Sequence, residues 1–151
     1  PARDYLRQGG RFGIGSDSHV SISPGEELRW LEYGQRLVHR RRNLLAEGAD
    51  VSVGATLYRK ALAGGAQALG REIGRLAPGA RADLLVLDAE NPILLGRTGD
   101  RLIDAFIFAG NVNPVRDVMV GGRWVVEQGR HEAEESVRAR FRTVMDELTA
   151  E

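Results

Sequence analysis

The pattern of apolar and polar positions predicts helices over much of the first half of the chain. A short helix is expected to end before Gly9-Gly10. A long amphipathic helix is expected from Ser23-Pro24 to about Leu45, since Ser23 can cap it and Pro24 suits its first position. Its predicted buried face carries Trp30, Leu31, Leu37, Val38, Leu44 and Leu45, and its predicted solvated face carries Arg29, Glu32, Arg36 and Arg40.

A second helical stretch is predicted over residues 51–69. Gly64-Gly65 weakens its middle, so two pieces are expected, and Gly70 supplies a C-terminal stop. Between the first two helices, Phe12-Gly13-Ile14-Gly15 is predicted to form a brief buried strand that runs into Ser16-Asp17-Ser18-His19. A polar cluster directly after a buried strand is typical of the active-site end of a barrel or open α/β sheet. A plain turn has the same pattern.

The second half of the chain predicts a small sheet followed by a helix. The nearly continuous apolar run of Ala82 to Asp88 indicates a strand buried on both faces. The remaining predicted elements are a short helix from about Leu102 to Ala109, a β-hairpin of Val115–Val120 and Arg123–Val126 around Gly121-Gly122, and an amphipathic helix from Glu132 to Leu148.

Composition narrows the classes of function. The 151 residues carry 21 Lys and Arg against 21 Asp and Glu, so the formal net charge of +0 argues against nucleic acid as a partner. The absence of cysteine excludes disulfides and Cys-based zinc sites. Without a signal-like or membrane-spanning apolar run, the expected location is the cytoplasm, with no membrane partner. A complete (β/α)₈ barrel needs roughly 250 residues and cannot fit.

Asp17 is the first candidate for chemistry, because a carboxylate at a strand end can bind a metal ion or carry a proton. The alternative, favoured by spacing alone, is that Asp17 caps a turn through backbone amides. His19 is a candidate ligand, a substrate contact or a hydrogen-bonded loop histidine. His39 and His131 stand apart from any His-x-His pair, whereas a catalytic zinc site takes about three protein ligands plus water.

Four blocks of sequence support a resemblance to a known family. Their order is similar to that of the C-terminal part of the amidohydrolase superfamily, and they are Gly15-Ser16-Asp17-Ser18, residues 66–70, residues 74–88 and residues 120–126. More narrowly, the stretch from Gly15 to Arg36 resembles the formimidoylglutamate deiminases. The resemblance covers essentially the whole chain but only the last third or so of such an enzyme, so we expect a C-terminal fragment.

The resemblance implies an α/β fold made of the C-terminal piece of a metal-dependent (β/α)₈ barrel, the C-terminal strands of a small β-sandwich domain, and a terminal helix. The barrel part is its last strand and helices, expected over residues 1–70. The part of the β-domain is expected over residues 71–131, and the helix over residues 132–151.

The resemblance also implies a function. The family's zinc hydrolases act on carbon–nitrogen bonds of small molecules, and this branch deiminates N-formimino-L-glutamate to N-formyl-L-glutamate and ammonia in histidine degradation. Asp17 matches the aspartate that binds the zinc and carries the proton of the attacking water, and His19 is the candidate substrate contact. The full-length enzyme would hold one zinc ion and form a homodimer. The chain alone is expected to be inactive and metal-free, because the family's other metal ligands have no counterpart in it.

Two alternatives remain open from the sequence. One is another deaminase of the superfamily, acting on a purine or pyrimidine ring. The other is a noncatalytic remnant or interaction module that uses the helix from Pro24 to about Leu45.

Overall fold

The computed structural model describes residues 2–18, 20–48 and 51–150. In chain order, its elements are α1 (Ala2–Arg7), α2 (Pro24–His39), α3 (Val53–Leu69), β1 (Leu84–Leu87), α4 (Asp100–Phe108), β2 (Val115–Val120), β3 (Arg123–Glu127), β4 (Arg130–His131) and α5 (Glu134–Thr149). Among the helices described, none is long and apolar enough to cross a membrane.

The chain divides into two compact units. The helical unit comprises Pro1–Ala80 and Ala89–Pro114, and the sheet unit comprises Arg81–Asp88 and Val115–Glu151. This division groups residues 89–114 with the helices, whereas the resemblance implied that they lie in the β-domain segment 71–131. The reason is that α4 packs against α2 and α3. Assigning these segments to a barrel and a β-domain stays a prediction.

Helix α2 begins where the sequence predicts but ends before the predicted C-terminus. The Ser23 hydroxyl accepts a hydrogen bond from the backbone N–H of Glu26 at 3.3 Å, which confirms the N-cap. The helix stops at His39 rather than near Leu45, because Arg40 adopts a left-handed conformation with φ 52°. Beyond it, the Glu32 carboxylate accepts hydrogen bonds from the backbone N–H groups of Leu44 and Leu45 at 3.2 and 3.1 Å, which turns the chain back along the helix.

The predicted faces of α2 are confirmed only in part: Leu31 packs against the core and Leu44 and Leu45 are buried as predicted, although the last two lie beyond the end of the helix. Leu28 and Glu32 are buried, whereas Trp30 is 52% exposed and Leu37 75% exposed. Side chains predicted to face solvent instead make hydrogen bonds inside the protein. Arg29 Nε donates to the carbonyl of Ile107, near the end of α4, at 2.6 Å. Its other guanidinium nitrogens donate to the carbonyl of Gly110 and to Asn111 Oδ1. A charged side whose donors and acceptors are all satisfied can be buried, and periodicity alone does not reveal this.

The core of the helical unit lies among α2, α3, α4 and the loop after α2. Its buried apolar members are Leu28, Leu45, Val53, Leu57, Ala61 and Ile107. Two aromatic pairs flank it, with Tyr33 stacked on Phe108 at 5.9 Å and Tyr58 edge-on to Phe106 at 6.4 Å between ring centroids. Burial raises the pKa of the Tyr58 hydroxyl above its usual value.

Helix α3 is one continuous helix, not the two pieces predicted. Ser52 caps its N-terminus and Gly70, with φ 60°, ends it as the sequence predicts. Gly64 is buried because the backbone of Phe12 crosses the helix there, and a Cβ on Gly64 would overlap the Phe12 carbonyl. The glycine therefore allows a close approach of two backbones rather than breaking the helix.

The sheet unit is a four-stranded antiparallel sheet in the order β1-β2-β3-β4. The predicted hairpin is confirmed, and positive φ at Gly121 and Gly122 (59° and 85°) suits its two-residue turn. The prediction that β1 is buried on both faces is wrong, because Leu85 is 43% exposed on this edge strand. The predicted short helix and terminal helix are confirmed as α4 and α5.

Candidate functional site

The segment that leads to Asp17 is not the strand predicted from the sequence. Residues 11–16 lack regular secondary structure. A strand is defined by backbone pairing with a neighbour, and within the described ranges no neighbouring strand pairs with this segment. The predicted burial is wrong as well, since Gly13, Ile14 and Gly15 are exposed and Phe12 is only half-buried.

Side chains from α1 and α3 nevertheless hold this segment in place. The Tyr5 hydroxyl donates to the carbonyl of Arg11 at 2.6 Å. Arg11 Nη1 donates to Gln67 Oε1 on α3 at 2.8 Å. Together with the close approach of Phe12 to Gly64, these contacts fix the backbone just before the polar cluster.

Asp17 lies at the exposed end of the segment, in a turn. Its φ of 42° falls in the left-handed region, which aspartate tolerates better than most residues. Its carboxylate makes no hydrogen bond or ion pair with the rest of the described chain, so a turn cap is not seen there. The other candidate, His19, lies outside the described residues.

A cavity of about 290 Å³ lies in the helical unit beside this segment. Its lining is mostly apolar, with a single carboxylate, and consists of Ala2, Tyr5, Leu6, Phe12, Gly13, Ile14, Gly15, Glu27 and Leu31. The backbone from Phe12 to Gly15 forms one wall, so the cavity and the turn that carries Asp17 are adjacent along the chain.

The described residues do not form a metal site. They contain no group of three or more His, Cys, Asp or Glu side chains that could hold a metal ion. His39 is the exposed last residue of α2. The Nδ1 atom of His131, in β4, accepts a hydrogen bond from the backbone N–H of Ala133 at 3.0 Å. One carboxylate alone does not meet the ligand count of a zinc site.

Sequence reasoning missed three residues that hold this unit together. Glu32 and Arg29 were assigned to the solvated face of α2, and Gly64 was interpreted as a weak point of a helix. For Glu32, the sequence offered only the four-residue spacing to Arg36, whose Nε donates to Glu32 Oε1 at 2.8 Å. Nothing in that spacing indicates that the carboxylate is buried.

The family of this chain follows from its similarity to known proteins. Residues 1–125 match the amidohydrolase family. The chain belongs to the amidohydrolase family. The predicted fold class is confirmed at that level, since the helices and the small antiparallel sheet make up a partial α/β amidohydrolase fold.

A curated relative is similar in sequence over nearly the whole chain. The chain is 60% identical to the formimidoylglutamate deiminase of Pseudomonas aeruginosa over 148 residues. The aligned region covers 98% of this chain and 33% of that enzyme. The resemblance stated from the sequence is thereby confirmed. The chain spans about a third of the length of this relative.

Two solved structures share the fold. An amidohydrolase from Brucella melitensis matches with a TM-score of 0.84 and 44% identity, over 99% of this chain and 32% of that one. An adenosine deaminase from Xanthomonas campestris with bound zinc matches with a TM-score of 0.75 and 25% identity, over 97% of this chain and 33% of that one.

Proposed function

We propose that this chain is part of a deiminase that hydrolyses N-formimino-L-glutamate to N-formyl-L-glutamate and ammonia, a reaction of histidine degradation. The observation that carries the proposal is the 60% identity to the Pseudomonas aeruginosa deiminase across 98% of the chain. Identity at this level over so much of the chain makes a shared substrate the simplest explanation.

The reaction needs a group that moves a proton. Water adds through its oxygen to the formimino carbon, the bond from that carbon to the terminal nitrogen breaks, and the nitrogen leaves as ammonia. A carboxylate beside the water can accept its proton and return it to the departing nitrogen. We assign this role to Asp17, whose exposed turn leaves the carboxylate accessible.

The described residues of this chain account for only part of a zinc site. Zinc is bound in the adenosine deaminase from Xanthomonas campestris. Asp17 would supply one ligand, but the described residues offer no group that could complete the site. We therefore propose that the other ligands come from polypeptide beyond this chain, and that the 151-residue chain alone binds no zinc at useful affinity and has no deiminase activity.

A purine deaminase is the second candidate, supported by the 25% identity to the adenosine deaminase. The two candidates differ in substrate, since one acts on a linear amidine and the other on a ring. The lower identity makes the purine reaction the weaker proposal.

A chimera tests the substrate. This chain replaces the matching third of the Pseudomonas aeruginosa deiminase, and ammonia release is measured with N-formimino-L-glutamate and with adenosine. We expect release from N-formimino-L-glutamate only, and none from the isolated chain. Release from adenosine alone would favour the purine reaction over the proposed one. Deiminase activity of the isolated chain would refute the proposal that this chain alone is inactive.

A further inference from the structure

Helix α1 ends in a turn that brings the chain back beside the last turn of the helix. Gly9 has a φ of 80°, in the left-handed region. The N–H of Gly9 donates to the carbonyl of Leu6 at 3.1 Å, and the N–H of Gly10 donates to the carbonyl of Tyr5 at 2.9 Å. These two hydrogen bonds form a Schellman motif, which places Gly10 next to Tyr5.

The Tyr5 side chain occupies the space that a side chain on Gly10 would need. A Cβ on Gly10 would come within 2.6 Å of three atoms of the Tyr5 ring. With the ring in this place, the Tyr5 hydroxyl donates to the carbonyl of Arg11 at 2.6 Å. A phenylalanine at this position could keep the ring contact, but it could not make the hydrogen bond.

The hydrogen bond from Tyr5 holds one peptide group of the segment that leads to Asp17. The carbonyl of Arg11 and the nitrogen of Phe12 belong to the same peptide group. That nitrogen would lie 3.0 Å from a Cβ on Gly64, so the peptide group held by Tyr5 is the one that crosses α3. Because a peptide group is planar and rigid, its orientation sets the direction in which the chain continues toward Asp17.

We propose that Tyr5 is a positioning residue for the reaction, because its hydroxyl orients the Arg11–Phe12 peptide group and thereby sets the position of the Asp17 carboxylate. This role of Tyr5 rests on the proposed function of Asp17 as the carrier of the proton. A reacting group displaced by about 1 Å can lose about 10²-fold in rate. Since the proton moves in the transition state, such a displacement lowers kcat rather than raising KM.

Kinetics of the chimera with the Pseudomonas aeruginosa deiminase test this role. We expect Tyr5→Phe to lower kcat for N-formimino-L-glutamate by about tenfold and to change KM by less than about twofold. Tyr58→Phe is the matched control, since it removes a hydroxyl that makes no hydrogen bond within the described part of the chain, and both constants should stay unchanged. An unchanged kcat in Tyr5→Phe overturns the proposal, as does a loss that appears only as a higher KM.

Gly10→Ala breaks the same hydrogen bond by another route, because the added methyl group displaces the Tyr5 ring and leaves its hydroxyl in place. We expect it to lower kcat as Tyr5→Phe does. The double variant should be no slower than the slower single variant, since both changes act on one contact. Gly34→Ala is the control, because its Cβ would meet no atom within 4 Å. Losses that multiply in the double variant would overturn the proposal.

The proposed function and the role of Tyr5 can fail separately. A chimera that releases ammonia only from adenosine refutes the proposed substrate, and kcat of the same variants is then compared with adenosine. For a chimera that is inactive with both substrates, hydrogen exchange at the backbone amides of residues 12–17 replaces kinetics. Faster exchange in Tyr5→Phe than in the unmodified chimera supports the positioning by Tyr5, and equal exchange overturns it.

Discussion

Phe12 crosses helix α3 at Gly64, where a Cβ on the glycine would overlap the carbonyl of Phe12 and come within 3.0 Å of its backbone nitrogen. This contact ties the middle of α3 to the segment that ends at Asp17. The position of the proposed catalytic carboxylate therefore depends on a glycine 47 residues further along the chain.

Adding a methyl group at this crossing tests that dependence. Gly64→Ala is expected to lower the free energy of unfolding by about 1–3 kcal/mol, because the backbone of Phe12 must move away. Gly65→Ala is the matched control, since no neighbouring atom lies within 4 Å of its Cβ. There we expect a gain of up to about 1 kcal/mol from helix propensity. Urea unfolding measures both, and equal effects would contradict the close approach.

The buried carboxylate of Glu32 gives a second prediction. Its oxygens accept hydrogen bonds from Arg36 Nε and from the backbone N–H groups of Leu44 and Leu45. Glu32→Ala leaves these donors unsatisfied, and we expect a loss of about 2–4 kcal/mol in the free energy of unfolding.

The control for Glu32 is an exposed glutamate in an ion pair. Glu47 pairs with Arg7 at 3.3 Å on the surface. Glu47→Ala should change the free energy of unfolding by less than about 0.5 kcal/mol, because exposed ion pairs contribute little. If the two variants unfold at the same urea concentration, the burial of Glu32 is wrong.

Asp117 in β2 gives a prediction about pH. Hydrogen bonds from the backbone N–H of Gln128 and from the side chain of Arg116 lower the pKa of its carboxyl. A carboxylate whose pKa is lowered in the folded state stabilises that state above its ordinary pKa, and the stabilisation is lost as the pH falls through the lowered value.

The sheet unit should therefore lose stability below about pH 4. Thermal unfolding of the wild type, Asp117→Asn and the exposed control Asp146→Asn between pH 2 and pH 7 measures the effect. We expect Asp117→Asn to be less stable than the wild type at pH 7 and to approach it at the acid end. An unchanged difference across the range would refute the role of the Asp117 charge.

The sequence predicted helix ends and turns correctly where residues close in sequence determine them. Ser23 before Pro24, Gly70 after α3 and the Gly121-Gly122 turn each act on the residues beside them, and each is confirmed. Their signals are short-range hydrogen bonds and backbone conformations, which neighbouring residue types determine.

Features that depend on distant partners were not predictable in the same way. The half-buried Arg29 packs inward from α2 because the carbonyl of Ile107 in α4 accepts a hydrogen bond from its Nε, 78 residues away along the chain. The strand expected before Asp17 needs a neighbouring strand, which the described chain does not provide. Asp17 itself was singled out from its position after an apolar run, and its catalytic role stays a proposal.

Substituting Asp17 in the active chimera tests the central claim most directly. Asp17→Asn in the chimera with the Pseudomonas aeruginosa deiminase is compared with Asp4→Asn, an exposed aspartate of α1. We predict that Asp17→Asn lowers ammonia release from N-formimino-L-glutamate by about 10²-fold or more and lowers the zinc content, while Asp4→Asn changes neither. An Asp17→Asn chimera that keeps both its activity and its zinc would contradict the account.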